Sequence, residues 1–260
     1  MTESLSRFAG QLADTARAAI MPHFRADKLA LCAKDDNSPV TIADRAAEKA
    51  MREMINKEYP AHGIIGEEYQ DENPAAGFVW VLDPIDGTRS FITGSRLFCT
   101  LIALLQEGEP VIGVICMTAL GERWTGVCQK GKKGYALFNG KQCRTASCQS
   151  LAAATMITTT FGCGSVRQNE GMQKLSAKAA YLRLGGDGEG YGSVAAGFAD
   201  IAADVQMHRH DYLALVPIVR GAGGSISDWR GEENLNINSG KTDIIAAATP
   251  KLHEQALAAL

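Results

Sequence analysis

The residues of this chain that point most directly to chemistry are two aspartates three positions apart, Asp83 and Asp86, at the end of a short apolar segment. Pro84 between them fixes a backbone angle and removes an N–H donor, and Gly87 permits backbone angles that other residues resist. Such a turn can direct both carboxylates and the Ile85 carbonyl towards one point. These oxygens are hard ligands that suit Mg²⁺ rather than Zn²⁺. An ordinary Asx turn that caps the next element would use the same residue types.

Further acids lie at the ends of other predicted elements. Glu67 and Glu68 follow the apolar run 63–65, where paired glutamates are usually solvated. Asp211 lies where a helix could begin, and an acid at that place is commonly only a cap. The four acids that could together supply ligands for several Mg²⁺ ions are Glu67, Asp83, Asp86 and Asp211.

Composition excludes several classes of protein. The chain has 260 residues, of which 46% are hydrophobic and 21% charged, as in an ordinary globular protein. A net charge of −3 gives no electrostatic attraction for the phosphates of nucleic acid. No apolar stretch approaches the roughly 18 residues of a membrane span, and the N-terminus lacks the apolar region of a signal peptide. Seven cysteines in scattered apolar contexts indicate free thiols, so we expect a cytoplasmic protein that binds neither nucleic acid nor membrane.

The first half of the chain predicts two helices and then a sheet. Apolar residues at helical spacing predict an opening helix that ends near Pro22. A second helix is expected from about Thr41 to Tyr59, with Asp44 in its first turn. The residues expected to be buried on that helix are Ala46, Ala50, Met54 and Ile55. Short strands follow between about 64 and 144, and Asn139-Gly140 is a strong hairpin signal.

Strands and helices then alternate. The predicted strands are 155–159, 181–184, 201–205, 225–228 and 243–248, and the predicted helices are 167–178, 188–198, 212–221 and 251–260. A composition shift near Ser150 predicts an N-terminal α+β lobe over 1–150 and a C-terminal α/β lobe over 151–260, joined as one compact unit.

Three motifs resemble the signatures of the inositol monophosphatase superfamily. They are Gly66-Glu67-Glu68, the run Asp-Pro-Ile-Asp-Gly-Thr at 83–88, and Asp211 followed by Gly-Ala-Gly-Gly at 221–224. The similarity runs nearly end to end. Members of that superfamily are Mg²⁺-dependent, lithium-sensitive phosphomonoesterases. The resemblance therefore implies a layered αβαβα sandwich, a metal site in the cleft between the lobes and a homodimer.

Within the superfamily, the chain is most similar to the histidinol-phosphate phosphatase branch. His210 precedes Asp211 where the superfamily usually has tryptophan. The segments that are similar to the histidinol-phosphate branch are 90–94, 100–104, 184–187 and 212–217.

The resemblance also implies roles for individual residues. Glu67, Asp83 and the Ile85 carbonyl would bind a first, water-activating metal. Asp83, Asp86 and Asp211 would bind a second metal, which faces the leaving oxygen. Glu67 could also hold a third ion, so two or three Mg²⁺ are expected.

Other matched positions concern water and phosphate. Thr88 and Asp44 would together orient and deprotonate the nucleophilic water, although Asp44 could simply be a helix-start acid. Gly87 and Thr88 would open a helix whose N–H groups meet the phosphate. Lys34 would contact a metal or the phosphate, or be an ordinary loop lysine.

Substrate contacts are expected from acids outside the metal site. Asp187 and Asp204 are expected to pair with the ammonium group and imidazole of histidinol, and Glu189 lies on the same segment as Asp187. Asp187 could instead cap the following helix, and Asp204 could contact a sugar hydroxyl. His208 and His210 have the spacing of a zinc-ligand pair, but no cysteine or third histidine is near, so a metal role is not expected.

Four functions stay open from the sequence. A small phosphorylated metabolite is the expected partner in three of them: a histidinol-phosphate phosphatase, an inositol-1-phosphate phosphatase, or a phosphatase acting on another small phosphate. The fourth is a catalytically inactive relative that serves as a scaffold or as a metal-dependent RNA-binding regulator. The complete set of acids, with Thr88 and Asp44 present, argues against the fourth.

Overall fold

The structure, a computed structural model, describes residues 2–26, 31–33, 39–129, 131–238 and 240–260. Its helices are α1 (Thr2–Ile20), α2 (Ile42–Glu58), α3 (Thr88–Ile92), α4 (Val166–Lys178), α5 (Gly188–Ala195), α6 (Arg209–Tyr212), α7 (Leu215–Gly221) and α8 (Pro250–Leu257). Its strands up to residue 150 are β1 (Leu31–Ala33), β2 (Pro39–Thr41), β3 (Gly63–Gly66), β4 (Phe78–Asp86), β5 (Cys99–Gln106), β6 (Glu109–Met117), β7 (Glu122–Val127), β8 (Tyr135–Phe138) and β9 (Lys141–Cys143). The later strands are β10 (Thr155–Thr158), β11 (Tyr181–Leu184), β12 (Ile201–Met207), β13 (Ser225–Asp228) and β14 (Thr242–Ala247).

One large sheet has seven strands in the order β3-β4-β5-β6-β7-β8-β9. β3 and β4 are parallel, and each later neighbour is antiparallel to the one before it. The β8–β9 hairpin turns at Asn139 and Gly140, with φ angles of 49° and 76°. Two positive φ angles in a two-residue loop are the signature of a type I′ turn. The predicted Asn-Gly hairpin is confirmed.

The second large sheet has five strands in the order β11-β10-β12-β14-β13. β11, β10 and β12 are parallel, whereas β14 runs antiparallel to both β12 and β13. All strands of this sheet follow residue 150, and all strands of the seven-stranded sheet precede it. The division into two lobes at that residue stays a prediction.

Side-chain alternation along the strands builds the layers. On β4, Trp80 and Leu82 pack with α1 and α2, whereas Val79 and Val81 face the opposite side, where α5 and α7 lie. Helices α4 and α8 cover the outer face of the five-stranded sheet. Two sheets separated and flanked by helices form the predicted αβαβα sandwich, which is confirmed.

Helix α7 lies directly against the backbone of the seven-stranded sheet. A Cβ atom at Gly126 on β7 would lie 2.3 Å from the Ile218 Cα, and one at Gly113 on β6 would lie 1.9 Å from the Ala214 oxygen. Glycine is required at both positions because any side chain would separate the layers. This close approach holds α6, which precedes α7, over β4.

The buried face of α2 differs from the one predicted. The buried apolar residues are Ala43, Ala47, Met51 and Ile55, whereas Ala46, Ala50 and Met54 are only half-buried. The same inner face holds the ion pair of Arg52 Nε with Glu48 Oε1, which are 2.8 Å apart. The prediction is confirmed for Ile55 and wrong for the other three residues, because charged residues are ordinarily counted on the outer face of a helix.

Two other predicted helices also differ. The helix predicted over 188–198 ends at Ala195, and the one predicted over 212–221 is divided into α6 and α7. None of the helices in the described ranges has the length and apolar character needed to cross a lipid bilayer.

Candidate metal centre and active site

A β-bulge brings the two aspartates of β4 to the same side of the strand. Asp83 pairs with Leu101 and Asp86 pairs with Cys99, so three steps along β4 match two steps along β5. Side chains three apart in a regular strand point to opposite faces, and one extra residue reverses the second of them. Thr100 Oγ1 donates to the Pro84 carbonyl over 2.8 Å and holds the irregular turn. The bulge therefore makes this pair of acids convergent.

Glu67 reaches the same place from β3. The parallel register pairs Gly66 with Leu82, so the next residue, Glu67, continues beside Asp83. The loop after Glu67 is held from α2, because Glu48 accepts hydrogen bonds from the backbone N–H groups of Glu68 and Tyr69 at 2.8 and 3.2 Å. A buried side chain of the helix layer thus fixes the backbone around Glu67.

Asp211 comes from α6 on the opposite side of the cluster. Its Oδ2 accepts the His208 N–H over 2.7 Å, so Asp211 is a helix cap, as the simpler reading of the sequence expected. It also meets Asp83 and Asp86: one carboxylate oxygen from each of the three lies within 4.8 Å of the others. Asp211 therefore belongs to the cluster while it caps its own helix.

Burial and mutual repulsion make the ionised form of these acids costly. Burial first, and then the charges of Glu67, Asp86 and Asp211, raise the pKa of Asp83 well above its usual range. Burial and the charge of Asp211 raise the pKa of Asp86 to about 7, and burial also raises the pKa of Asp211 to about 7. A cation among these oxygens would relieve both the desolvation and the mutual repulsion.

The donor atoms fit a divalent cation. Asp83 is 2% exposed, and its buried Oδ1 has no hydrogen-bond partner among the described residues. A buried carboxylate oxygen without a donor is costly unless something else compensates it. Carboxylates and a nearby carbonyl are the oxygen ligands that Mg²⁺ prefers. The residues present therefore fit the metal that the sequence predicts.

His210 was missed as part of this cluster. One of its ring nitrogens, one Glu67 oxygen and one Asp83 oxygen all lie within 4.8 Å of one another. The alternating His208 and His210 were the available signal, and the sequence interpretation set them aside because no third histidine or cysteine is near. The two carboxylates grouped with His210, those of Glu67 and Asp83, lie far away in the chain.

The turn after Asp86 opens α3. Gly87 has φ 87° and ψ 42°, a left-handed conformation in which glycine is favoured, and α3 begins at Thr88. The Thr88 hydroxyl donates to the Ile85 carbonyl over 3.2 Å. Asp44 is buried at the start of α2, where its Oδ2 accepts from the Thr41 N–H at 3.0 Å and from the Thr41 hydroxyl at 2.5 Å. Its role as a helix-start acid is thus real, and the Thr88–Asp44 relay stays a prediction.

Asp187 lies against this turn. A Cβ atom at Gly87 would be 2.5 Å from Asp187 Oδ2, so the carboxylate occupies the space beside the glycine. Asp187 has φ 47° and ψ −133° and makes no side-chain cap to α5. Burial, followed by the charges of Asp86 and Asp204, raises its pKa to about 8. The capping alternative is therefore wrong, and the acid faces the turn between the two sheets.

Asp204 supports the loop that follows β10. It is 4% exposed, and its Oδ1 accepts four hydrogen bonds of 2.8–3.1 Å, from Thr158 Oγ1, Thr159 N, Thr160 N and Thr160 Oγ1. These donors belong to the end of β10 and the loop after it. These bonds show that Asp204 supports that loop, and its predicted contact with the substrate stays a prediction.

Glu189 is likewise engaged by its neighbours. Its Oε2 pairs with Arg183 of β11, and its Oε1 accepts from Ser193 over 2.6 Å. Arg183 is a charged residue near Asp187 that the sequence interpretation did not single out. Lys34 lies outside the described residues.

Comparison with known proteins gives consistent results over the whole chain. The sequence profile described as the inositol monophosphatase family matches residues 1–260. The chain is 40% identical to the bifunctional phosphatase IMPL2, chloroplastic, of Arabidopsis thaliana, over 98% of this chain and 75% of that protein. It is 36% identical to a histidinol-phosphatase of Chlorobaculum parvum, over 90% and 89% of the two chains. A solved inositol monophosphatase from Zymomonas mobilis superposes with a TM-score of 0.88 at 43% identity, covering 99% of this chain and 97% of that one.

Proposed function

The chain belongs to the inositol monophosphatase family and is a phosphoric monoester hydrolase, and on that premise we propose that its substrate is histidinol phosphate. The observation that carries the proposal is the position of Asp187, whose carboxylate lies beside Gly87 at the opening of α3. An acid at that position suits a phosphomonoester that carries a positive charge close to its phosphate.

The metal cluster supports the phosphatase chemistry. Bound Mg²⁺ ions would neutralise the phosphoryl oxygens and activate the attacking water. The residues that would hold them are Glu67, Asp83, the Ile85 carbonyl, Asp86 and Asp211. Thr88 and Asp44 would orient the water, and the backbone N–H groups after Gly87 would receive the phosphate. The number of ions, a homodimer and a cytoplasmic location stay predictions.

The chemistry of histidinol phosphate explains the choice of substrate. Its ammonium group is on the carbon next to the one that bears the phosphate ester, so it lies near the phosphate when the ester is bound. Asp187 can accept a charge-assisted hydrogen bond from that ammonium, and a cation nearby favours the ionised form of the acid. Inositol 1-phosphate offers only hydroxyl groups at the same distance and gives the carboxylate no counter-charge.

The relatives support two substrates, so inositol 1-phosphate is the second candidate. The Chlorobaculum parvum relative is named a histidinol-phosphatase, whereas the solved Zymomonas mobilis structure is titled an inositol monophosphatase. The deciding experiment measures phosphate release from histidinol phosphate, inositol 1-phosphate and 3′-phosphoadenosine 5′-phosphate, with Mg²⁺ and with excess chelator. We expect Mg²⁺-dependent hydrolysis with the highest kcat/KM for histidinol phosphate. A higher kcat/KM for inositol 1-phosphate would reject the proposed substrate.

Replacement of Asp187 tests the proposed ammonium contact. Asp187→Asn should raise the KM for histidinol phosphate about tenfold or more, because a hydrogen bond to a charged group contributes about 1.5–3 kcal/mol. Hydrolysis of p-nitrophenyl phosphate, which has no ammonium group, serves as the matched control and should change little. Equal losses with the two esters would show that Asp187 supports the metal centre instead of selecting the substrate.

A further inference from the structure

His210 places an imidazole at the edge of the acid cluster. One of its ring nitrogens lies within 4.8 Å of a Glu67 oxygen and an Asp83 oxygen, which themselves are within that distance of each other. Its Nε2 is 3.3 Å from Asp211 Oδ1. The ring stacks on His208, with centroids 5.3 Å apart and planes 11° from parallel. The imidazole is therefore oriented towards the acids by contacts on two sides.

The group is more than a set of neighbouring acids. Asp83, which belongs both to this group and to the group with Asp86 and Asp211, is almost fully buried, and its Oδ1 has no hydrogen-bond partner among the described residues. A buried oxygen of this kind is costly unless a hydrogen-bond donor or a cation compensates it. Three ligand atoms around one ion at about 2.0–2.2 Å each lie within about 4.4 Å of one another. The three atoms here lie within 4.8 Å, so side-chain movements of a few tenths of an ångström are enough to place them around a common ion.

We propose that His210, Glu67 and Asp83 form a mixed nitrogen–oxygen site that selects Zn²⁺ or Co²⁺ over Mg²⁺. Imidazole is a favourable ligand for Zn²⁺ and Co²⁺, whereas Mg²⁺ takes oxygen ligands. The group of Asp83, Asp86 and Asp211 contains only oxygen donors and retains the preference for Mg²⁺. This inference rests on the proposed function in that two of its residues, Glu67 and Asp83, also belong to the proposed Mg²⁺ centre.

The shared ligand has a consequence for metal competition. Because Asp83 lies in both groups, an ion held by His210 draws on an oxygen that the all-oxygen site also uses. Binding of Zn²⁺ at His210 should therefore weaken the binding of Mg²⁺, and the reverse should hold to the same extent. The identity of residue 210 would thus determine how strongly the centre responds to transition metals.

Direct metal binding tests the proposal without reference to turnover. The metal-stripped full chain is titrated with Zn²⁺ and separately with Mg²⁺ by calorimetry, and Co²⁺ loading is followed by visible absorption. His210→Gln should weaken Zn²⁺ binding about tenfold or more, by the scale known for perturbed metal sites, and should alter the Co²⁺ spectrum. The affinity for Mg²⁺ should fall by a much smaller factor. His23→Gln, at a histidine that belongs to neither group, is the matched control and should bind Zn²⁺ as the native chain does.

A second variant keeps the test decisive if the first one folds poorly. His210→Trp removes the nitrogen ligand but restores an aromatic ring at the stacked position, and it should also lose the preference for Zn²⁺. Unchanged Zn²⁺ affinity in a folded His210 variant, or equal losses for Zn²⁺ and Mg²⁺, would overturn the inference. The proposed function is judged separately, by Mg²⁺-dependent phosphate release from the native chain.

Discussion

Two buried aspartates, one in each large sheet, show how the same residue can serve opposite purposes. Asp83 on β4 is 2% exposed and Asp204 on β12 is 4% exposed. Four N–H and O–H donors surround Asp204 Oδ1, whereas Asp83 Oδ1 has no partner in the described part of the chain. Hydrogen bonds therefore compensate the burial of Asp204, and the burial of Asp83 is left for a ligand to compensate.

The pKa values of the two carboxyl groups follow the same contrast. Burial raises the pKa of both, but the donors from Thr158, Thr159 and Thr160 oppose the rise at Asp204. At Asp83 the next influences are negative charges, which raise the pKa further. Burial alone does not distinguish a structural acid from a functional one; the partners around each oxygen do.

The largest expected effect comes from Asp83→Asn. We expect kcat/KM to fall on the order of 10³-fold, the scale for losing a key electrostatic stabiliser of a transition state. The melting temperature of the metal-free protein should stay the same or rise, because one repelling charge is gone. Asp14→Asn is the matched control, since Asp14 is an exposed acid that pairs with Arg123. Near-native turnover in Asp83→Asn would show that Asp83 is not a metal ligand needed for catalysis, and the contrast with Asp204 would then be wrong.

Asp204→Ala should have the opposite profile. Removal of the carboxylate leaves buried donors around it unpaired and should lower the free energy of unfolding by about 3 kcal/mol. Chemical denaturation at saturating Mg²⁺ measures this loss, and calorimetry should show a smaller change in Mg²⁺ affinity than Asp83→Asn produces. Native stability together with a raised KM for histidinol phosphate would show that Asp204 contacts the substrate and does not mainly support the loop.

The smallest effect concerns pH. The folded-state pKa values of Asp86 and Asp211 are about 7, above the usual 3.8. The folded chain thus binds more protons than the unfolded chain between these values, so metal-free stability should fall as pH rises from about 4 to about 7. Saturating Mg²⁺ favours the charged acids and should reduce that fall. Across this pH range, the melting temperature of the metal-free native protein should fall by a few degrees more than that of Asp86→Asn. The same fall in both proteins would contradict the proposed repulsion.

Local signals in the sequence were sufficient for much of the fold. Asn139-Gly140 predicts its turn because few other pairs adopt two positive φ angles. The strands Tyr181–Leu184 and Ser225–Asp228 match the predicted bounds. The acids at 83 and 86 were identified as convergent because proline and glycine mark an unusual turn. Each of these features depends on a few consecutive residues.

Features that depend on distant partners were not predictable. The bulge between Asp83 and Asp86 is defined by its register with β5. The role of Asp204 depends on donors 44–46 residues away. The inner face of α2 was misplaced because Arg52 and Glu48 satisfy each other inside the protein. His210 was set aside because no third histidine or cysteine is near in the sequence, and its neighbours in space, Glu67 and Asp83, lie far away in the chain.

The packing of Glu48 against β3 limits how this protein can change. A Cβ atom at Gly66 would lie 1.8 Å from Glu48 Oε1 and 2.6 Å from Arg52 Nη2. Even the smallest side chain at position 66 would therefore displace the ion pair that fixes the backbone beside Glu67. Positions 48, 52 and 66 form a unit whose members tolerate replacement only together, so single substitutions among them should be among the least tolerated in a mutational survey of the chain.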